Sequence, residues 1–543
     1  MKLSITSTII HSLIYCCQVV VVVNGFTTTT PPPTLSLNSY YSLSNKIKTT
    51  TTRGTNQVVA EGVREREQVR QYAKPKRLEE NVEGVLYVND KCINCAACSY
   101  FAPNTFTRSK KSPHHVVYQQ PQSTSSSTDF TNARAALAAC PVAAIRTLSK
   151  GEISHHNKII NKGTSDSNSS SNSNLDSEPY SKLLTPLTNE EENMTKEYAL
   201  NSPNQPLPFP RALSNNVWLL GHHSSKSFGA FPYLVQGYHK GQAVSIIVDV
   251  PKYTPSAVRA ISSLLPSQGQ QPNYMFLTHV DDTAYHNEWK NEYPNLKRIF
   301  HSGDLGPNNW IGDDTLEHVE ILLDDTSTDT DTDTDTDDMN VNDVGNKLIV
   351  WSLDGEQFSI DFDGNAGSYD LALSNVMENI NSDFLILSSP GHSPGSISLL
   401  YNSKNRNKNN NNEVINDVEN DDENSNVNAD TSYDGGTLFT GDTLSFSTRG
   451  DNGGHMSGFP RYGNNLRQQA MTLKTFSQFM NIYDCIACGH GHIRNYRIFI
   501  ERKNNSGGDG YLSDSELHQL KDRDINDAIE ELLDYNGNNA VSR

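Results

Sequence analysis

The sequence predicts a layered α/β fold preceded by a small, cysteine-bearing α+β domain. Two observations carry the prediction. Short apolar runs of strand length, such as residues 274–277, 384–388 and 437–440, recur through the second half of the chain. Each runs into residues able to ligate a metal, and polar groups at strand ends can face a cleft while their backbone stays anchored in the sheet. Ahead of them, Cys92, Cys95 and Cys98 stand at C-x-x-C-x-x-C spacing, with Cys140-Pro141 some forty residues on.

The 543 residues leave room for about two to four domains. The hydrophobic share of 35% is below the globular norm of about 45–50%, and polar low-complexity stretches account for the deficit. They also hold most of the −19 formal charge: residues 324–343 carry nine acids and no base, and residues 402–434 eight acids against three bases. Acidity confined to inserts argues against a nucleic-acid-binding face. Eight cysteines are too sparse for a disulfide scaffold.

In chain order, Lys2 and the apolar run 13–23 read as a secretory-type signal, too short to span a bilayer comfortably. No membrane span is expected in the mature chain. Residues 26–58 contain no Asp or Glu and many Thr and Ser, the composition of a transit peptide. The pair resembles the two-part presequence of algae with secondary plastids, which implies a chloroplast location, with secretion as the alternative. The expected organisation is therefore a signal (1–25), transit peptide or linker (26–80), cysteine domain (81–149), disordered Ser/Asn-rich linker (150–210), main domain (211–503) and helical tail (504–543).

Within the cysteine domain, residues 84–89 alternate as a strand, 119–128 read as a polar loop, and 132–139 as an Ala-rich helix leading into Cys140. In the main domain, 216–220, 233–235, 243–250 and 348–353 are further strands and 256–265 an amphipathic helix. Residues 396–401 and 437–440 form a hairpin enlarged by the 402–434 insert, which is tolerable because loop closure cost grows slowly with length. The Thr-Asp repeats of 324–338 lack the Gly and closing Glu of a calcium loop. In the tail, Ser513 and Glu516 form a capping-box pattern, and the apolar spacing after them predicts one or two helices packed on the body.

Three thiolates on a tight loop can take three corners of an iron–sulfur cube, with the fourth supplied from elsewhere in the fold. A structural zinc ribbon pairs two C-x-x-C knuckles, and no second knuckle is placed to complete one here. A three-iron cluster is disfavoured because Cys95 is retained. Residues 84–146 resemble a single-cluster bacterial-type ferredoxin. The resemblance implies a 4Fe–4S cluster on Cys92, Cys95, Cys98 and Cys140, single-electron transfer, and a redox protein among the candidate partners.

Residues 214–500 resemble the metallo-β-lactamase superfamily. His392 in Pro-Gly-His-Ser-Pro-Gly-Ser, Asp442 in Thr-Gly-Asp and His490 in Gly-His-Gly match its pattern in residue, spacing and order. The resemblance implies a four-layer αββα sandwich with metals at the loop edge of its two sheets, and a structural role for the strand-end Asp249. The first motif departs from the H-x-H-x-D-H pattern. Asp281 occupies the second His position, His286 follows His279 by seven residues instead of five, and Tyr285 stands where the family has Asp. This H-x-D-D-x-x-x-H variant resembles a plastid and cyanobacterial branch in which an N-terminal ferredoxin segment also occurs. It implies His279, His286, His392, Asp442 and His490 as ligands. Asp281 and Asp282 are replacement ligands of open assignment, and Asp282 is also a candidate to orient a catalytic water.

One or two divalent ions are implied. Imidazole suits zinc and carboxylates favour iron or manganese, so zinc leads and iron is the alternative. With two ions, Asp442 would bridge them, and a metal-bound hydroxide would attack the ester, thioester or amide carbonyl of a small-molecule substrate. That hydrolase is the first reading. The second is an oxidoreductase in which the cluster feeds electrons to a di-iron site, and the third an electron-transfer or scaffold protein with a degenerate site. Cys485 and Cys488 read as buried small hydrophobes. His492, His301 and His455 read as loop, structural or exposed residues, and Arg449 and Tyr462 as surface residues or weak substrate contacts.

Overall fold

The structure, a computed structural model, describes residues 75–121, 128–148, 207–214, 216–267, 269–325, 347–361, 368–403, 436–448, 454–496 and 514–535. The presequence, the 150–206 linker, most of both acidic inserts and Arg449 lie outside the described residues, as does Ser513 of the expected cap.

In the cysteine domain, β1 (Leu86–Val88) pairs antiparallel with β4 (Ile145–Thr147), and β2 (Phe106–Arg108) with β3 (His115–Val117). Helices α1 (Ala97–Phe101) and α2 (Thr128–Ala139) lie on them. α2 starts earlier than the alanine run suggests. Asp129 suits the positive end of the helix dipole, and the buried Phe130 ties down the first turn. Ala133, Ala136 and Ala139 are fully buried, so small side chains let this helix approach closely.

The main domain contains two seven-stranded sheets. The first runs β11 (Ile321–Leu323), β10 (Lys297–His301), β9 (Tyr274–Phe276), β8 (Gln242–Val248), β7 (Tyr233–His239), β6 (Val217–Leu219), β5 (Arg211–Ser214). The second runs β13 (Gln357–Asp361), β12 (Lys347–Trp351), β14 (Phe384–Ser388), β15 (Ile397–Tyr401), β16 (Thr437–Gly441), β19 (Cys485–Cys488), β20 (Arg494–Asn495). A separate hairpin joins β17 (Ser445–Ser447) to β18 (His455–Ser457).

Alternation along the strands sorts the core into layers. Ile246 and Val248, Tyr274 and Phe276, Phe384 and Ile386, and Leu399 and Phe439 face each other between the sheets. Their neighbours point outward. Ile247 and Met275 meet α3 (Pro255–Ser262) and α4 (His286–Glu292). Leu385, Leu387, Leu400 and Ile486 meet α5 (Ser368–Asn379), α6 (Leu466–Phe476) and α7 (Asp514–Asp534). The order is helix, sheet, sheet, helix. The tail is one helix, held on the body by Lys521, which donates to the Met480 and Tyr483 carbonyls and Asp484, and by a bidentate Arg494–Asp524 pair.

Strand direction places the motifs together. β14 and β16 are each antiparallel to β15, and β16 is parallel to β19. The loops after β14, β16 and β19, bearing His392, Asp442 and His490, therefore leave the same edge. The loop after β9 joins them across the sandwich, where Ile397 N–H donates to the Thr278 carbonyl.

The cysteine domain and the main domain pack directly against each other. Their apolar cores are continuous. Phe101 packs on Phe209 and Phe231 at ring separations of 5.2 and 5.8 Å, and Tyr100 on Phe231 at 5.4 Å. Phe231→Ala should cost about 3–5 kcal/mol. The wild-type chain should unfold in denaturant with one midpoint, whether followed by far-UV dichroism or by cluster absorbance. Two separated midpoints would contradict a shared core.

Candidate metal centre

Two groups of ligand atoms converge at the loop edge, each with its atoms within 4.8 Å of one another: His279, His392 and Asp442, and Asp282, Asp442 and His490. Asp442 belongs to both. Its carboxylate lies 3.9 Å from His279 Nε2, 3.7 Å from His392 Nε2 and 2.7 Å from His490 Nδ1.

Two of the three imidazoles are aimed by a fixed neighbour. His279 Nδ1 is 3.0 Å from Thr278 Oγ1, whose hydroxyl donates to Asp249. That arrangement puts the proton on Nδ1 and leaves Nε2 bare toward the site. His490 Nε2 is 3.3 Å from the Ser227 carbonyl, which leaves Nδ1 facing Asp442 and Asp282. Partners of this kind orient metal-binding histidines. Asp304, fully buried, accepts from Val280 N–H, Ser393 Oγ–H and Gly395 N–H, and so ties the first-motif loop to the His392 loop. Gly489 allows the carboxylates to converge, since a Cβ there would lie 2.8 Å from Asp442 Oδ1 and 2.9 Å from Asp282 Oδ2.

The donors fit divalent cations. His279 Nε2, His392 Nδ1 and both oxygens of Asp282 are buried without a hydrogen-bond partner, an arrangement that is costly unless something charged completes it. The protonation balance agrees. Burial pushes Asp282 well above the carboxylate range. Burial also opposes the charged imidazolium at His279 and His490, yet the surrounding Asp282 and Asp442 carboxylates carry them up to about 9 and about 10. Burial lowers His392 to about 4. Without a cation the cluster recruits protons in its place.

Asp282 therefore sits among the ligand atoms. Asp281 stands at the rim, 3.8 Å from His279 Nε2 and bonded to Trp310 Nε1–H at 2.5 Å. His286, expected as a ligand, is not brought in. Tyr285 adopts a left-handed turn (φ 76°) that starts α4, and the His286 ring is held by Arg298 at Nδ1 and Asp313 at Nε2, 3.0 and 3.1 Å away. Spacing alone could not reveal that turn. Asp249 takes two hydrogen bonds from Thr278. His301 bonds Gly303 N–H, His455 lies 3.5 Å from Glu531, Tyr462 is exposed, and Cys485 and Cys488 are buried.

The four cysteines line a small pocket together with apolar Val88, Ile93 and Ile145. Asn94 and Ala96 turn the loop with left-handed φ values of 62° and 64°. Backbone N–H groups of Asn94 and His115 point at Cys92 Sγ and that of Ala144 at Cys140 Sγ, at 3.4, 3.5 and 3.1 Å. Burial pushes the Cys95 thiol up to about 12 and Cys98 well above its usual value. Thiolates are not stable there alone, and iron supplies the missing positive charge. The pocket thus fits an iron–sulfur cluster.

Sequence reasoning missed the partner of His492. Its Nε2 lies 3.0 Å from Ser99 Oγ, and its ring packs edge-on against Tyr100 at 5.5 Å. The two residues are 393 positions apart, and no local signal joins them. Asp304 was findable as an acid just past a strand end.

Fold and site together define an αββα sandwich whose converging donors could hold metal, fused to an iron–sulfur domain. Residues 88–147 match the family model of the 4Fe-4S single cluster domain of ferredoxin I, and a 4Fe–4S cluster is the cofactor of that domain. No curated protein matches the chain. Among solved structures, it is similar to the DIM-1 metallo-β-lactamase exposed to ceftazidime (12% identity, 58% of this chain and 95% of the other, TM-score 0.29). It is also similar to the metallo-β-lactamase FIM-1 from Pseudomonas aeruginosa in its mono-zinc form (12%, 59% and 94%, 0.28). An archaeal metallo-β-lactamase superfamily protein from Sulfolobus tokodaii overlaps as well (14%, 56% and 93%, 0.24). The layered fold rests on sheet order and core, not on these overlaps. No helix among the described residues is long and apolar enough to cross a membrane.

Two outcomes follow from the site. Gly489→Ala, which removes no ligand, should weaken divalent-metal affinity about 10- to 100-fold in competition titrations, and unchanged affinity would count against carboxylate convergence. Because His279 and His490 are raised to about 9 and about 10, both hold protons at pH 7, and metal binding must release them. Calorimetry in buffers of different ionisation enthalpy should show that release, with affinity rising from pH 6 toward 9.

Proposed function

We propose that this chain is a two-metal hydrolase of a small molecule bearing an ester, thioester or amide carbonyl. The observation that supports the reading is the pair of buried donor groups sharing Asp442. Bound there, divalent cations would polarise a carbonyl oxygen and lower the pKa of a water molecule. The chain's own part is positional. Thr278 and Ser227 fix the ring faces of His279 and His490. Asp304 holds the loops of the first motif and His392 in register. Asp282, fully buried, serves as a ligand in this reading and not as a solvent-facing base. Asp281, 19% exposed at the rim beside Trp310, is the carboxylate best placed to meet a substrate or its water.

One observation favours an oxidoreductase as the second reading: the cysteine pocket abuts the loop that holds His490. Metal identity separates the two. Anaerobically purified protein should contain zinc at the sandwich site and hydrolyse members of a thioester, ester and amide panel. Asp442→Ala should lose about 100-fold or more in rate. Redox-active iron at that site, with no hydrolysis of any panel member, would transfer the assignment to the oxidoreductase.

A further inference from the structure

One loop touches both cofactor pockets. Gly229, at φ +94°, lies so close to the cysteine loop that a Cβ there would sit 2.8 Å from Cys95 Cβ and 3.2 Å from both Cys95 Sγ and Pro141. Two residues earlier, the Ser227 carbonyl lies 3.3 Å from His490 Nε2. Two residues later, Phe231 N–H donates to the Gly489 carbonyl, the residue before His490, while its ring packs on Tyr100. Between them, the buried His223 is 2.9 Å from the Gly229 carbonyl through Nδ1. A second bridge runs beside the first, where Ser99, next to Cys98, meets His492, two residues past His490. From Gly229 to Ser227 is at most about 7 Å of chain, with both residues buried and Phe228 between them exposed.

We propose that the 223–231 loop links the two pockets so that the charge on the cluster and the cation in the sandwich site sense each other. This rests on the reading that the donors hold divalent metal. An electron accepted by the cluster from an external one-electron donor adds one negative charge beside a site that binds positive charge. At a separation on the order of 10 Å and an effective dielectric of about 20, that interaction with a divalent ion is worth about a hundredfold in affinity. Linkage makes it reciprocal, so the cation raises the cluster's reduction potential by the same factor. The sandwich site then loads most tightly when the cluster is reduced, and the hydrolase is redox-gated. Zinc, being redox-inert, isolates this coupling from electron transfer into the site.

The test uses the full chain with its cluster reconstituted and the sandwich site stripped by chelator. Redox titration with dithionite, followed by the resonance of the reduced cluster, is run with and without added zinc, and zinc affinity is measured in both oxidation states. Zinc should raise the midpoint by about 120 mV, the one-electron equivalent of a hundredfold, and reduced protein should bind zinc about a hundredfold more tightly. In Asp442→Ala the zinc-induced shift should vanish, and a shift persisting there would place zinc elsewhere and overturn the proposal. Gly229→Ala, which contacts no sandwich ligand, should weaken zinc binding and shrink the potential shift together. If that variant fails to hold a cluster, Ser99→Ala, which removes the His492 contact, takes its place, with the same two readouts expected to fall. Zinc bound with no midpoint change overturns the coupling alone, and absence of zinc binding overturns the coupling and the two-metal reading together.

Discussion

Two carboxylates, Asp282 and Asp442, and three imidazoles, His279, His392 and His490, converge at the edge of two sheets, and that electrostatic constraint organises the main domain. Asp442 is its pivot, because it alone reaches both donor groups. A buried carboxylate pair such as Asp282 and Asp442 cannot persist without compensating positive charge. In the bare chain that charge is two protonated histidines, His279 and His490. The surrounding structure serves this arrangement. Thr278 and Asp249 fix one ring, Ser227 fixes another, Asp304 joins two ligand loops, and Gly489 clears the space in which the carboxylates meet.

The same economy governs the junction with the cysteine domain. That domain buries its own alanine-rich helix, yet its aromatic face, Tyr100 and Phe101, is completed by Phe209, Phe231 and His492 of the sandwich. The consequence is functional as well as structural. The segment that supplies Phe231 also supplies Gly229 to the cluster pocket and Ser227 to His490. A core formed between the two parts thereby fixes the spacing between two cofactor pockets, where a flexible tether would leave it variable.

Much of this was legible in the sequence because much of it is local. The cysteine triplet is a seven-residue loop, and Pro-Gly-His392, Thr-Gly-Asp442 and Gly-His490-Gly each carry the turn residues that their geometry needs. Short apolar runs foretold the strands, including the β15–β16 hairpin across a long insert, and the family resemblance implied their layering. The first motif was harder. Asp281, Asp282 and His286 lie within six positions, and only the left-handed turn at Tyr285 decides that Asp282 points in while His286 turns toward Arg298 and Asp313. Contacts spanning more than a hundred residues, such as Ser99 with His492 or Gly229 with Cys95, leave no periodic trace. The core that the two parts share is built from contacts of this kind.

The central claim is that the edge of the sandwich holds two cations that share Asp442. Anomalous diffraction from zinc-loaded crystals, recorded at the zinc edge, examines it directly. The account predicts two peaks beside Asp442, one among His279, His392 and Asp442 and the other among Asp282, Asp442 and His490, and none at His286. A single peak lying between His286 and Asp313, with nothing beside Asp442, would contradict it.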